Sequence, residues 1–459
     1  MSPINRKISI NASVNSFVKW LNIKMSGDAE DAIETFLLVV PSFFYVVLAT
    51  TLPAFLPYSS KQLNFTVEFI IIVIPIILNV TVFANISGNI LFIISLILFT
   101  FVALMLVNTL YKPTSKETKI TKPLLNRENF VTNVRSTINL ISVVAILAVD
   151  FNIFPSRFSK TPRTGFSLMD LGVGLYVFAN GIVAPEARGK KDPITNSIKS
   201  SIALIIIGIL RLVSTKATHY HVSEMEYGIH WNFFITLAVT KILSSCILNI
   251  FDVNYIYINA ILLTVAHETL LQMFLKSWIF STDKRTNLIS ANKEGIVSSV
   301  GYVSLYLFSL YFSYSLNKMK TQHNKNKLFF IWIINSLLIT CFCTYKFEVS
   351  RRLANCGYIA WILFIAISMT WLFYLWDSLK KNSFVNFNLN CCPFILEAIN
   401  SNGLIFFLVA NVLTGLVNLT ITTNLVSSMN SLIILIVYML INCGLASVLY
   451  SSKIKLKLL

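Results

Sequence analysis

The sequence predicts an all-α polytopic membrane protein, and three observations carry that prediction. Of its 459 residues, 55% are hydrophobic and only 12% are charged, against about 25% charged in an ordinary globular chain. The mean hydropathy is +0.71. Apolar stretches follow one another from residue 35 to residue 450 and leave no loop long enough for a soluble domain. These stretches are continuous and rich in Leu, Ile, Val and Phe, whereas a transmembrane β-barrel alternates apolar and polar residues in segments of about 10.

A hydrocarbon core of about 30 Å needs about 20 apolar residues per helical span. Runs that meet this need lie at 35–57, 67–86, 90–111, 136–154, 166–184, 197–215, 231–251, 255–276, 295–316, 328–345, 356–376, 403–423 and 430–450. The prediction is therefore about thirteen spans in one transmembrane domain over 35–450. A polar tail, 1–34, precedes it and a basic tail, 451–459, follows it. Asp28, Glu30, Asp31 and Glu34 stand before the first run, which is not the short basic region of a cleaved signal peptide.

An odd number of spans puts the termini on opposite sides, and the positive-inside rule chooses between them. Lys112, Lys116, Lys119, Lys122, Arg127, Arg188, Lys190, Lys191, Lys318, Lys320, Lys325, Lys327, Lys453, Lys455 and Lys457 fall on the C-terminal side. That side is expected to be cytosolic, and the N-terminus non-cytosolic. The formal net charge of +17 sits in these short loops with no long basic tract, so the expected partners are anionic lipid headgroups and not nucleic acid. Cys246, Cys341, Cys343, Cys356 and Cys443 lie in or beside apolar runs, and vicinal Cys391 and Cys392 lack a CxxC partner. No metal site and no disulfide framework is expected. Sequons at Asn11, Asn64, Asn79, Asn85 and Asn418 lie mostly in or near spans.

Ionisable groups inside or at the ends of spans cost about 2.5–3.5 kcal/mol each on insertion scales, so their presence marks candidate chemistry. The densest group is AVDFNIFPSRFSKTPRTGFSLMDLGVG, which carries Asp150, Arg157, Lys160, Arg163 and Asp170. A carboxylate desolvated at a membrane boundary has a raised pKa suited to a general base, and a nearby ammonium pulls it back. The same residues could equally be an ion pair that neutralises a helix end. The second group, EMEYGIHWNFF, holds Glu226, Tyr227, His230 and Asn232. On a helix Glu226 and His230 would share a face and orient the imidazole for proton transfer; alternatively, the imidazole is an interfacial anchor. LISANKEGIVSSVGY adds Asn292, Lys293 and Glu294, EVSRRLAN adds Arg351, Arg352 and Asn355, and NVLTGLVNLT adds Asn411 and Asn418. Paired arginines suit a phosphate or snorkel to the lipid surface. Arg211, Lys241, His267 and Glu268 within spans could line a polar cavity or pair with each other. Span counting puts the Asp150–Lys160 loop, the HWN segment, NKEG and SRRLAN on one side.

No Walker A loop, GxGxxG after a strand, GxSxG elbow, HExxH helix or HxxxxD box is present. The residues alone thus leave two classes, a lipid-modifying enzyme and a multi-span lipid or polyanion transporter or flippase. A transporter fold commonly carries internal repeats, and none is visible here.

In order and type, AILAVDFNIFPSRFSKT…MDLGVG, EYGIHWNFF, SANKEGIVSSVGY, SRRLAN and LIFFLVANVLTGLVNL resemble blocks of the GPI inositol acyltransferase family, the glucosaminyl-phosphatidylinositol (GlcN-PI) acyltransferases of the endoplasmic reticulum. The resemblance spans about residues 140–425, and the short loop after the eleventh run resembles fungal-type members. It implies transfer of a fatty acyl chain, commonly palmitoyl, from acyl-CoA to the inositol 2-hydroxyl of GlcN-PI. It also implies a lumenal N-terminus and a cytosolic C-terminus. In that family the Asp and Lys of the AVDF…RFxK block are associated with catalysis; they fall on Asp150 and Lys160 here. Asp150 is expected as base, Lys160 as its electrostatic partner, and His230 and Asn232 as second-choice proton-transfer or oxyanion groups. Arg157, Arg351 and Arg352 are expected phosphate clamps, with Asp170, Asn292 and Glu294 completing the substrate-binding set. Palmitoyl-CoA would be a co-substrate, with no tightly bound cofactor and no obligate protein partner.

Overall fold

The computed structural model describes residues 27–55, 60–84, 128–217, 224–282, 284–382 and 392–456. Among these residues every regular element is a helix, and eleven helices are long and apolar enough to cross a membrane. They are α1 (Gly27–Pro53), α2 (Gln62–Val80), α3 (Asn129–Ala148), α5 (Ile194–Ala217), α6 (Phe233–Ile250), α7 (Val253–Phe280), α8 (Lys293–Lys318), α9 (Gln322–Lys346), α10 (Cys356–Lys380), α11 (Gly403–Thr420) and α12 (Ser428–Ser451). The shorter α4 (Leu168–Gly181) lies between α3 and α5.

Of the thirteen runs, eleven form these long helices and two stand differently. The run at 90–111 lies outside the described residues. The run at 166–184 forms only the 14 residues of α4, about 21 Å at 1.5 Å per residue, because Ser167 caps its start by accepting from the Asp170 amide and the chain turns after Gly181. The first helix begins at Gly27, inside the segment expected to be a polar tail.

Burial sorts the helices into a centre and a rim. The apolar windows of α8 and α10 are each 78% buried, while that of α5 is 17% buried. Ile209, Leu210 and Val213 on α5 and Leu262, Val265 and Met273 on α7 are left exposed among the described residues, as expected where lipid is the solvent. Small residues let the central helices approach. A Cβ on Gly174 of α4 would lie 2.6 Å from Ile362 and 2.9 Å from the Tyr358 hydroxyl of α10. In α2 a five-residue π-turn, Phe69–Val73, is separated from Pro75 by Ile74 alone; the wider turn accommodates a residue that cannot donate to the preceding turn. Beside it, buried Glu68 accepts hydrogen bonds from the Phe394 and Ile395 amides at 2.9 and 2.8 Å. That membrane carboxylate therefore caps the helix Phe394–Ser401.

Hydrogen bonds divide the connecting segments between two ends of the bundle. At one end Arg157 reaches Glu34 and Ala84, Asn152 reaches Asn424, Gly165 reaches Val349, and Ile229 reaches Ala291. At the other, Asn317 reaches Ala187, Lys318 reaches Asn254, and Asn249 reaches Asp192. The first end gathers the segments that the sequence singled out. The second carries Lys190, Lys191, Lys318 and Lys320, while Lys112 to Arg127 lie outside the described residues.

Candidate functional site

The site is assembled from four connecting segments at the first end. The 149–167 segment leaves the C-terminus of α3, burying Phe151, Phe154 and Phe158, and these rings hold the polar residues between them in place. Asp150 sits just past α3 and accepts a hydrogen bond from Asn418 of α11 at 2.8 Å. Burial raises the Asp150 pKa, and the Asn418 hydrogen bond and the Lys160 charge pull it back. The negative end of the α3 dipole acts in the same direction as burial.

The Lys160 ammonium is electrostatically felt by Asp150, but its ion pair is with Glu226 at 2.9 Å. Glu226 also meets Arg351 at 3.3 Å, and Arg351 meets Asp170 at 2.7 Å. A chain of alternating charge thus runs Lys160, Glu226, Arg351, Asp170. Although burial would raise the pKa of Glu226, Lys160 and Arg351 outweigh it and hold the carboxyl at about 2. Asp170 also accepts from Thr161 Oγ1 at 2.7 Å, Ser167 Oγ at 2.9 Å and the Thr161 amide at 3.2 Å. With Arg351 on its other oxygen, this carboxylate is saturated by protein donors. Asp170 acts here as the anchor of the 149–167 segment.

The segment between α9 and α10 supplies both arginines. Glu348 and Ala354 are non-glycine residues at φ +61° and +45°, each costing about 1–3 kcal/mol unless the surroundings impose it. Asn355 imposes it: its Oδ1 accepts from the Ser350 and Tyr358 amides and its Nδ2 donates to Glu348 O. His267 contacts Leu353 O at 2.9 Å and Glu268 accepts from the Cys356 amide at 2.9 Å. These two groups grip the loop and do not pair with each other. Lys241 donates to Ser200 instead of joining them.

Several expected residues take other roles. Glu226 lies on the short helix Glu224–Tyr227, which ends at Gly228 with φ +115°. Because the helix stops there, His230 does not share a helical face with Glu226. Its imidazole is exposed, and its backbone amide donates to Asn292 Oδ1 at 2.8 Å. Buried Asn232 caps α6, accepting from the Phe234 and Ile235 amides and donating to Gly208 O at 2.8 Å. Asn292 also donates to Leu288 O. Glu294, in the first turn of α8, binds Arg285 through both oxygens at 2.8 and 3.0 Å and lies 3.7 Å from Arg352. Arg157 is held by Glu34 and by Ala84 O. The structure therefore brings Asp150, Lys160, Asp170, Arg351 and Arg352 into one assembly, with Arg157 at its α1 edge. His219 and His221 lie outside the described residues.

The comparisons add the lineage. The family model for GWT1 matches residues 17–449. The chain belongs to the GWT1 family. Among GWT1-family relatives, the GPI-anchored wall transfer protein 1 of Debaryomyces hansenii is 32% identical over 476 residues, covering 90% of this chain and 95% of its own. That of Schizosaccharomyces pombe is 35% identical, covering 72% and 73%. An Arabidopsis thaliana protein whose name states no activity is also 35% identical, covering 71% and 75%. In this GWT1-family chain two residues at the site escaped assignment from sequence. Glu226 was visible only as an acid beside His230, and Asn418 only as a polar residue of NVLTGLVNLT and part of a sequon; neither pattern reveals a partner 66 or 268 positions away.

Proposed function

We propose that the chain is an acyl-CoA-dependent O-acyltransferase that moves a fatty acyl chain, palmitoyl in the first instance, to the inositol 2-hydroxyl of GlcN-PI. Membership of the GWT1 family supports a role in GPI-anchor biosynthesis. The observation that carries the chemistry is a half-buried carboxyl, Asp150, with its pKa raised by desolvation and a cation nearby. A raised carboxyl pKa suits general-base work near neutral pH.

In this mechanism Asp150 takes the proton of the inositol hydroxyl as its oxygen attacks the thioester carbonyl. The carbon–sulfur bond breaks, and coenzyme A leaves as a thiolate that is then protonated. Lys160, oriented by Glu226, places positive charge beside the developing oxyanion. Such charge acts strongly where water is excluded, and the buried Phe151, Phe154 and Phe158 exclude it here. The acyl chain would lie along the apolar walls of the central helices.

We also place the protein in the endoplasmic reticulum membrane, with the Asp150 end and N-terminus lumenal and the C-terminus cytosolic. The lysines gathered at the opposite end support that orientation. The decisive assay is transfer from labelled palmitoyl-CoA to GlcN-PI in membranes, with wild type beside Asp150→Ala, Lys160→Ala and His230→Ala at matched expression. Label that is lost in the first two variants and largely kept in the third is expected. Full activity in Asp150→Ala with loss in His230→Ala would refute the assignment of the base.

A further inference from the structure

The ion-pair chain consumes Arg351, but a second group of guanidinium ions beside it is incompletely neutralised. Arg352 and Arg163 both stack on Phe280, with their Cζ atoms 5.1 and 5.8 Å from the ring centroid. Arg352 is 7% exposed. One of its outer nitrogens donates to Pro162 O at 2.8 Å and the other lies 3.7 Å from Glu294, a carboxylate already held by both outer nitrogens of Arg285. Its Nε is buried without any hydrogen-bond partner. Arg163 is exposed and forms no salt bridge among the described residues. Arg285 and Arg352 therefore share the one carboxylate of Glu294, and Arg163 adds a third positive charge beside Arg352.

Burial lowers the Arg352 pKa, Glu294 raises it, and Arg351, Arg163 and Arg285 lower it further. A buried guanidinium with an unpaired Nε donor, beside like charge and sharing a carboxylate 3.7 Å away with Arg285, is incompletely neutralised. The position of Phe280 indicates what supplies it. Phe280 is the last residue of α7, whose outer face exposes Met273 and Phe274. An anion reaching the two arginines past that face comes from the lipid layer at headgroup depth, and guanidinium forks match phosphate oxygens.

We propose that Arg163 and Arg352, seated on Phe280, form a phosphodiester site for an anionic membrane lipid. It is separate from the Lys160–Glu226–Arg351–Asp170 chain. The further identification of this lipid as the acyl acceptor rests on the function proposed above. Arg163 had no role assigned to it from the sequence pattern. Its exposure makes it the safer probe, since Arg352 supports the fold through Pro162 and Glu294.

The test is equilibrium binding of labelled short-chain phosphatidylinositol to the purified full-length protein in phosphatidylcholine nanodiscs, without acyl donor. Arg163→Gln should weaken binding about tenfold, and Arg163→Lys, which keeps the charge but loses the fork, should fall between that variant and wild type. Unchanged affinity in Arg163→Gln would overturn the site. Displacement of the lipid by inorganic phosphate at equal concentration would overturn its assignment to a lipid. Because binding is read without turnover, a wild type that binds but does not acylate would refute the reaction while leaving this site standing.

Discussion

Replacing Glu226 with Gln keeps the side chain's shape and removes the one negative charge between Lys160 and Arg351. The Glu226 side chain is only 16% exposed and touches both cations. Its pKa is lowered from 4.5 to about 2: burial opposes ionisation, and Lys160 and Arg351 more than offset it. At ~1.36 kcal/mol per unit, that depression is worth about 3 kcal/mol. Because the folded-state pKa is the lower one, this stabilisation is fully present above pH 4.5 and is lost as pH falls toward 2. Glu226→Gln should therefore unfold several degrees below wild type at pH 7 in a detergent thermal-shift series followed by size-exclusion chromatography. At pH 3.5 the deficit should shrink by about a third, to roughly 2 kcal/mol. Equal midpoints at pH 7, or a deficit that does not change with pH, would refute the reasoning.

Three further outcomes follow from the same geometry. Asn418→Leu removes a hydrogen bond to an ionised group, worth about 1.5–3 kcal/mol, so the Asp150 pKa rises further. The acidic limb of the acyl-transfer pH profile should then move up by about 1–2 pH units, and a stationary limb would count against Asp150 as base. Arg351→Ala strands the buried Asp170 carboxylate and should cost about 3–5 kcal/mol, seen as loss of monodisperse protein on extraction; an unperturbed elution profile would contradict the ion-pair chain. Gly228→Ala puts a Cβ at φ +115° and 2.6 Å from Ala291 O. It should destabilise by more than about 1 kcal/mol, lowering the thermal midpoint while leaving the pH profile of acyl transfer in place.

The all-helical membrane fold was legible because it follows from composition and run length alone. A span needs about 20 apolar residues whatever its neighbours are, and each of the eleven long helices overlaps the run that predicted it, with α1 and α3 beginning several residues earlier. The run at 166–184 forms only the 14-residue α4, because hydropathy does not fix a helix's length, yet α4 still carries the chain from the 149–167 segment at one end to Ala187 at the other. Even the side on which the polar segments meet could be read by counting spans, since parity is a property of chain order.

Pairing was not legible. The sequence offered Asp150 with Lys160, and Glu226 with His230, because neighbours in the chain are the only partners a sequence displays. A single glycine at positive φ ended the helix that would have joined Glu226 to His230, and the freed carboxylate took Lys160 and Arg351 from two other segments. Which of three arginines stays without a carboxylate likewise depends on distances across the bundle end, where each ion takes the nearest opposite charge that burial leaves accessible. Composition determined that the chain lies in a membrane, and only tertiary packing decided which of its buried charges are neutralised and which remain to bind.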